Sequence, residues 1–416
     1  MKVAPLSAWI TLMAVSVVFF FITATTFTSL GLVLPAMIAE LHWGWAEAGL
    51  GFSLLGVFCG IASYVPAWLI RRVGVRVTFV LGAGMMAASF FLLAWLHGVM
   101  LYYIALSICG FGFTLLGSVP GTYLLTRVFE RPSFAFGLYF TIGGLGGVAG
   151  PLVYLWIISA TGQWRDYWLV SAVGVTVLGL LAAVLVDATT NLHGERNLEP
   201  HKAGPVFRSN RAWTVAAALR TPQFITIAIA HTGFLFCGIT VNTISVAHLG
   251  QHGIPATVAG TMLSLEALIN AGARIAGGAV GDFIEPKKLL ALSLTVLVVG
   301  VLALTYARDM PLMVVYAAGV GIGYGLTFYA VSILLLNYFG PKIQLELFSI
   351  SNLISTLASI GPVSAGWSRD VLGSFAPCLL VLAAGAAAIL VAVLLMRPPA
   401  DEEEEEVAAA LPAGQV

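Results

Sequence analysis

The chain is a succession of long apolar runs separated by short polar or charged breaks. Most runs reach about 20 residues, the length that an α-helix needs to cross roughly 30 Å of hydrocarbon. The runs predict an all-α protein with twelve membrane-spanning helices, at residues 9–38, 46–69, 77–96, 100–126, 134–159, 166–187, 222–247, 257–281, 288–306, 312–336, 344–368 and 372–396.

One connection is longer than the others and divides the predicted helices into two groups of six. We therefore predict an N-terminal six-helix bundle at 1–190, a cytoplasmic linker at 191–221 and a C-terminal six-helix bundle at 222–397. Residues 398–416 begin with two prolines and contain six consecutive acidic residues. Such a segment buries too little apolar surface to fold, so we predict a disordered acidic tail there.

The two groups of helices repeat each other at a shift of 211 residues. This shift places Gly110 on Gly321 and Gly112 on Gly323, in the fourth and tenth predicted helices. Two similar six-helix halves can rock around a central site, which is the physical basis of alternating access in transporters. The repeat predicts two pseudo-symmetric bundles and favours a secondary transporter.

Composition and charge exclude a soluble domain and give an orientation. Hydrophobic residues make up 59% of the chain and charged residues 9%, whereas a soluble domain carries about 25% charged residues. If the N-terminus lies in the cytoplasm, most of the 19 lysines and arginines fall on cytoplasmic segments. The sequence thus predicts a multi-pass protein of the plasma (inner) membrane with both termini in the cytoplasm.

Nothing in the sequence favours an enzyme. The four cysteines are widely spaced within apolar runs, without a spacing typical of metal ligands, at Cys59, Cys109, Cys237 and Cys378. Motifs such as HExxH and GxSxG are absent from the sequence, and most loops are too short for a catalytic domain. We expect no catalytic residue, no metal, no cofactor and no nucleic-acid partner.

Three polar residues follow one face of the eighth predicted helix. Glu266, Asn270 and Arg274 are spaced four residues apart and extend over about 12 Å. A charge within a span costs at least about 2.5–3.5 kcal/mol, so it is a functional candidate by default. The Arg274 guanidinium stays charged and can bind two carboxylate oxygens. We predict that Arg274 binds a substrate carboxylate, and that Asn270 donates to this carboxylate or orients the guanidinium. The structural alternative is an Arg274–Glu266 pair bridged by Asn270 or water.

The number of cations in the spans limits the substrate. Besides Arg274, no lysine or arginine lies well inside a predicted helix. A dicarboxylate bound in the midplane usually needs two positive partners, so one cation favours a small monocarboxylate such as lactate or pyruvate. Hydrogen-bond donors alone could hold a second carboxylate, which keeps dicarboxylates as an alternative.

Proton coupling has several candidate groups. Glu266 is the acidic residue that lies well inside a span, and His231 and His248 fall in or at the end of the seventh predicted helix. His248 could also help to neutralise an incoming anion. A histidine on an apolar helix is often a packing residue, and symport also works without a titrating switch if the empty carrier moves poorly with an uncompensated Arg274.

Three stretches of the sequence resemble a known family, and two of them are turns or their immediate continuation. The turn after the second predicted helix contains Arg71, Arg72 and Gly74, and its repeat after the eighth helix ends at Asp282. Residues 120–147 contain an aromatic-basic turn, then Ala-Phe-Gly-Leu and glycines four residues apart.

A third stretch is Asn270-x-x-x-Arg274. Together the three resemble the major facilitator superfamily and, within it, the monocarboxylate transporter group and its bacterial relatives. The resemblance implies the twelve-helix major facilitator fold, places Arg274 at the group's substrate-binding arginine, and implies that the two turns form gating loops. The chain departs from the superfamily at Arg71, where the family has Asp, and from the group at Asn270, where Asp is frequent.

The resemblance also implies a pocket, because the first, fourth, seventh and tenth helices line the cavity in this superfamily. The polar or amphipathic candidates on those helices include Thr28, Tyr123, Asn242, Tyr324 and Tyr329. The implied function is proton-coupled transport of lactate- or pyruvate-like anions by a monomer in the bilayer. Exchange of oxalate, formate or other organic anions is the alternative, and an anion channel is a remote one.

Overall fold

The computed structural model describes residues 6–129, 132–187, 207, 209, 211–280, 284–340 and 343–399. Most of the predicted linker and nearly all of the predicted acidic tail lie outside these residues. The described chain is helical throughout, joined by short turns. This confirms the predicted all-α fold class.

The first half contains six spans built from eight α-helices. The first span is continuous through a π-helical segment at Ala24–Thr28, and the second passes through a 3-10 segment at Ala62–Tyr64. The α-helices are α1 (Leu6–Thr23), α2 (Ser29–Leu41), α3 (Trp45–Ile61), α4 (Val65–Ala94), α5 (Val99–Leu116), α6 (Ser118–Val128), α7 (Pro132–Thr161) and α8 (Trp164–Asp187).

The second half begins after a short helix and repeats the arrangement. Its penultimate span is interrupted by a 3-10 segment at Thr356–Ser359. The α-helices are α9 (Val215–Leu219), α10 (Pro222–Gln251), α11 (Ala256–Val280), α12 (Pro286–Tyr306), α13 (Met310–Phe339), α14 (Gln344–Ser355), α15 (Ile360–Leu372) and α16 (Ala376–Leu395).

Within the described residues, eleven helical segments are long and apolar enough to cross a membrane. The remaining predicted span is the eighth, which corresponds to α11; this helix is 25 residues long but carries Glu266, Asn270 and Arg274. Helices are suited to this environment because they satisfy their backbone hydrogen bonds internally, where the hydrocarbon offers no water. The protein is therefore a multi-pass membrane protein with twelve spanning helices.

Two irregularities in the first half have local causes. Gly74 has φ 86° and ψ 166°, a conformation that favours glycine, and it breaks α4 at the predicted turn between the second and third spans. In the π-helical segment, Thr25 and Thr26 donate side-chain hydrogen bonds to the carbonyls of Phe21 and Ile22. These hydroxyls satisfy carbonyls in a stretch where the regular ladder is altered.

The internal repeat reappears as matched contacts between helices. A methyl group on Gly110 of α5 would lie 2.6 Å from the Leu55 carbonyl oxygen of α3. One on Gly321 of α13 would lie 2.6 Å from the Glu266 carbonyl oxygen of α11. Both residues of the second pair follow those of the first by the predicted 211 positions. Glycine is required at each site because the two backbones approach too closely for a side chain.

The two halves contact each other at the end of the bundle where α3 begins, called here the Trp45 end. The Asp370 carboxylate of α15 accepts hydrogen bonds from the backbone N–H groups of Trp45 (3.1 Å) and Ala46 (2.8 Å). Two turns further along both helices, the Val363 N–H donates to the Ser53 hydroxyl across the same interface at 3.3 Å. An acidic side chain of one half thus caps the N-terminus of a helix in the other.

Candidate functional site

The polar face of α11 is positioned by glycines of α13. Gly321 lies against the Glu266 carbonyl, and a methyl group on Gly325 would lie 2.5 Å from the Asn270 carbonyl oxygen. These two glycines are four residues apart, so they form one smooth stripe along α13. The close approach orients the Glu266–Arg274 face of α11 toward the interior of the bundle, as a charged residue in a span requires.

The Arg274 guanidinium is oriented by two neighbours. Its Nε donates a hydrogen bond of 3.0 Å to Asn270 Oδ1, one turn earlier on the same helix. Its central carbon lies 5.0 Å from the centre of the Phe328 ring, a cation–π contact. Within the described part of the chain, no hydrogen bond or ion pair engages its two terminal nitrogens. The side chain is half-buried, so this end of the fork can receive two oxygen atoms from a ligand.

Glu266 lies in a separate, deeper environment and is only 3% exposed. Its Oε2 accepts a hydrogen bond of 3.0 Å from the Tyr316 hydroxyl on α13. Of the bridge between Arg274 and Glu266 that the sequence left open, the described hydrogen bonds include the contact of Arg274 with Asn270, whereas the described partner of Glu266 is Tyr316. Tyr324 lies within electrostatic reach of both groups and packs on Gly238 of α10, where a methyl group would lie 2.0 Å from Cε2 of the ring.

The other predicted tyrosines lie on two different helices. Tyr329 of α13 packs beside α11, where a methyl group on Gly277 would lie 3.1 Å from Cδ1 of the ring. Tyr123 is half-buried on α6, in the first half. The structure therefore brings Tyr324 and Tyr329 to the α11 side of the bundle and keeps Tyr123 on the opposite half.

Thr28 and Asn242 both lie where the halves meet. The Thr28 hydroxyl and the Ala267 Cβ flank Gly147 of α7, at 3.3 and 3.2 Å from the position of a methyl group on that glycine. Thr28 and Ala267, the residue that follows Glu266, thus approach the same glycine. The Asn242 carbonyl oxygen lies against Gly31 of α2, where a methyl group would lie only 1.8 Å away. Its side chain is half-buried.

The two candidate histidines have different surroundings. His231 is sandwiched between the Phe234 and Phe348 rings, with centroid distances of 5.5 and 5.6 Å. A hydrogen bond of 2.7 Å joins its Nδ1 to the Ser351 hydroxyl, while its buried Nε2 has no partner among the described residues. The ring therefore joins α10 to α14.

His248 Nε2 lies 3.1 and 3.3 Å from the carbonyl oxygens of Leu304 and Thr305. Both partners are acceptors, so Nε2 carries a hydrogen and donates to carbonyls at the end of α12. This position ties α10 to α12 at the Trp45 end of the bundle.

The predicted gating turn is only partly described. Arg71 and Arg72 are exposed, and the Arg72 guanidinium lies 5.2 Å from the centre of the Trp68 ring. Gly74 provides the break described above. Asp282, the predicted gating residue of the second half, lies outside the described residues. Among the described residues, no group of three or more His, Cys, Asp or Glu side chains could hold a metal ion.

Sequence reasoning missed several aromatic neighbours of the site. Phe328 contacts Arg274, its ring lies 5.8 Å from that of Phe348, and Tyr316 is the partner of Glu266. The hydropathy of a phenylalanine is the same whether its ring faces a packed core or an internal cavity. Glu266 and Tyr316 are 50 residues apart and have no local spacing that pairs them.

Comparisons with known proteins agree with this architecture. The family model described as Major Facilitator Superfamily matches residues 16–275 and 227–414. The class D tetracycline resistance protein of Salmonella ordonez is 27% identical over 172 residues, which cover 40% of this chain and 43% of that protein. The match therefore spans less than half the length of this curated relative.

Two solved transporter structures share the fold. A bacterial homologue of the human lysosomal transporter Spinster, in an inward-facing and unoccupied conformation, aligns with a TM-score of 0.66 and 16% identity over 93% of this chain and 94% of that one. The nucleoside transporter NupG aligns with a TM-score of 0.69 and 14% identity over 93% of this chain and 99% of that one.

Proposed function

The chain belongs to the major facilitator superfamily, and we propose that it carries small organic monocarboxylates across the membrane by alternating access. The observation that carries this proposal is the Arg274 guanidinium, which lies within a membrane-spanning helix and is oriented by its hydrogen bond to Asn270. We propose that the protein lies in the plasma (inner) membrane as a monomer. The distribution of its basic residues supports an orientation with both termini in the cytoplasm.

Arg274 supplies the charge recognition. With Nε donating to Asn270, the two terminal nitrogens remain for the substrate carboxylate, a geometry that supports bidentate binding. Asn270 acts as an orienting residue, because its acceptor fixes the rotation of the guanidinium plane. The Phe328 ring on one side of the cation limits the directions from which an anion can approach.

The charge balance supports a singly charged substrate. Within the described spans, no second lysine or arginine lies deep in a helix, so one bound carboxylate neutralises the cation of the site. A second carboxylate would require uncharged donors and would carry a net negative charge through the membrane interior, which is costly. Exchange of oxalate, formate or related anions remains the alternative within this class.

Glu266 is our candidate for the group that carries the proton. Its carboxylate is almost fully buried and accepts a hydrogen bond from Tyr316. It also lies within electrostatic reach of Tyr324, which interacts in the same way with Arg274. An anion on Arg274 and a proton on Glu266 together make a neutral loaded carrier. His231 is a second candidate because its Nε2 is buried without a described partner. In a third scheme no residue titrates: the empty carrier changes conformation poorly with an uncompensated Arg274, so the anion and the proton travel together.

Export of an uncharged or amphipathic compound is a second candidate function. The match to the tetracycline resistance protein favours it, because that relative is 27% identical to this chain over 172 residues. The two functions differ in their need for a cation in the site. Transport of an uncharged compound would continue in an Arg274→Ala variant, whereas transport of a monocarboxylate would stop.

Uptake by purified protein in liposomes tests the proposal. We expect saturable uptake of radiolabelled pyruvate or L-lactate that is faster with acid outside and is lost in the Arg274→Ala variant. Unlabelled monocarboxylates should compete and dicarboxylates should not. Normal uptake by the variant would show that the assigned site is wrong, and flux that does not saturate would indicate a pore.

A further inference from the structure

Six phenylalanine rings from six different helical segments form a continuous chain that passes from the first half to the second. We call this chain the aromatic arc, and it consists of Phe27, Phe113, Phe19, Phe140, Phe328 and Phe348. Successive ring centres are 5.3, 6.4, 6.1, 6.5 and 5.8 Å apart, within the range of direct aromatic contact.

The aromatic arc connects the two halves at one contact. Phe140 belongs to α7 of the first half and Phe328 belongs to α13 of the second, and their ring centres lie 6.5 Å apart. Phe328 is also the ring that lies under the Arg274 guanidinium. The arc therefore passes directly beside the predicted carboxylate site.

The rings of the arc differ in exposure from those of the packed core. Every member of the arc is half-buried, whereas core rings such as Phe79 and Phe90 are fully buried. Phe91, by comparison, is 52% exposed on the outside of the first half. The charged Arg274 must face the interior or a water-filled cavity, and Phe328, whose ring lies against it, borders that space.

We infer that the site selects organic monoanions whose body, beyond the carboxylate, is aromatic or bulky and apolar. The inference rests on the proposed function and refines its substrate class. Arg274 fixes the carboxylate, and the half-buried rings of the arc offer apolar surface to the remainder of the ligand. Lactate and pyruvate would leave most of that surface without a contact. Phe140 is then a specificity-determining residue supplied by the half that lacks the arginine.

Pyruvate and phenylpyruvate form a matched pair for the test, because they differ only by the aromatic ring. The full chain in liposomes takes up radiolabelled pyruvate, and each unlabelled anion is titrated as a competitor. We expect phenylpyruvate to inhibit at a concentration about tenfold lower than pyruvate, on the order expected for burial of a ring. Phenylacetone, which keeps the ring and the ketone but lacks the carboxylate, should not inhibit.

A variant pair then assigns the preference to the arc. In Phe140→Leu, the ratio of the inhibitory concentration of pyruvate to that of phenylpyruvate should fall by about threefold or more, and the lipid-exposed control Phe91→Leu should leave this ratio unchanged. If Phe140→Leu is poorly folded, Phe113→Leu serves in its place, and ligand-induced stabilisation of the purified protein gives a second readout of binding.

Equal inhibition by the two anions, or an unchanged preference in both arc variants, would overturn the inference while Arg274-dependent pyruvate uptake still supports the proposed function. If neither anion is taken up or stabilises the protein, the proposed function and the inference both fail.

Discussion

Asn270 Oδ1 accepts a hydrogen bond of 3.0 Å from Arg274 Nε. Arg274 is therefore oriented by a residue one turn earlier on its own helix. This local arrangement makes the guanidinium independent of the movement of the other half. A carrier that rocks around a central site needs a binding group whose geometry persists while its surroundings change. The contact also divides the guanidinium into a structural edge and an edge left for the ligand.

The first prediction concerns the fork of Arg274. Arg274→Lys keeps the charge but loses the planar pair of donors, so we expect KM for pyruvate to rise about tenfold or more, on the scale of one hydrogen bond to a charged group. Arg274→Ala should abolish uptake. Concentration-dependent uptake in liposomes measures both, with the exposed Arg308→Ala as control. Equal KM values for the lysine variant and the original protein would contradict a bidentate role.

The second prediction separates orientation from charge at Asn270. Asn270→Asp is nearly isosteric and keeps an acceptor for Arg274 Nε, but its carboxylate neutralises the guanidinium. We expect KM for the monocarboxylate to rise more in Asn270→Asp than in Asn270→Ala, because the aspartate competes with the substrate for the same cation. A larger rise in the alanine variant would contradict the expected competition and would show that loss of the orienting acceptor costs more than the added carboxylate.

Much of the architecture was predictable from the sequence because the bilayer imposes it. A spanning helix needs a long apolar run, so hydropathy predicted spans close to the observed helices. Arg274 was equally predictable, since a charge within such a run is costly and stands out. The break at Gly74 followed from the turn that the pattern required there.

The partners of the site were not predictable from local pattern. Tyr316 meets Glu266 only because the glycine stripe of α13 brings the two helices together. The π-helical segment at Ala24–Thr28 has no hydropathy signal, because threonines of this kind also occur in regular spans. His248 was a candidate for binding, and its contact with the end of α12 depends on the packing of two helices that are distant in sequence.

The third prediction tests proton coupling at Glu266. Glu266→Gln keeps an oxygen that can accept from Tyr316 but cannot take up a proton, so the fold should persist. Uptake by the original protein should increase with acid outside, and uptake by the variant should become insensitive to the proton gradient. The control is Glu47→Gln at the Trp45 end, whose side chain is exposed. A gradient response that survives in Glu266→Gln would assign coupling to His231 or to the substrate alone.

The fourth prediction concerns the close packing of α11 against α13. Gly321→Ala would place a methyl group 2.6 Å from the Glu266 carbonyl oxygen, so one of the two backbones must move. We expect a loss of roughly 1–3 kcal/mol in the free energy of unfolding, with reduced uptake because the polar face of α11 is displaced. Gly385→Ala in α16 is the matched control, since a methyl group there meets no atom within 4 Å. Thermal unfolding of the purified protein distinguishes the two variants.

The last prediction concerns the contact by which Asp370 closes the Trp45 end. Asp370→Ala removes both acceptors from the N-terminus of α3, and loss of a helix cap costs about 1–2 kcal/mol, a factor of roughly 5–30 in an equilibrium. We therefore expect the two halves to separate more often at this end. A cysteine introduced as Ser53→Cys, in a background without the native cysteines, reports the opening, because Ser53 is 5% exposed and adjoins Val363 across the interface. Its labelling by a water-soluble maleimide should accelerate in Asp370→Ala.

The control is Asp309→Ala, which removes a comparable cap from α13 within one half, where Asp309 accepts from the Leu312 N–H at 3.1 Å. Faster labelling in both variants would indicate general loosening of the protein, whereas an effect confined to Asp370→Ala identifies a contact between the halves that must break for the Trp45 end to open.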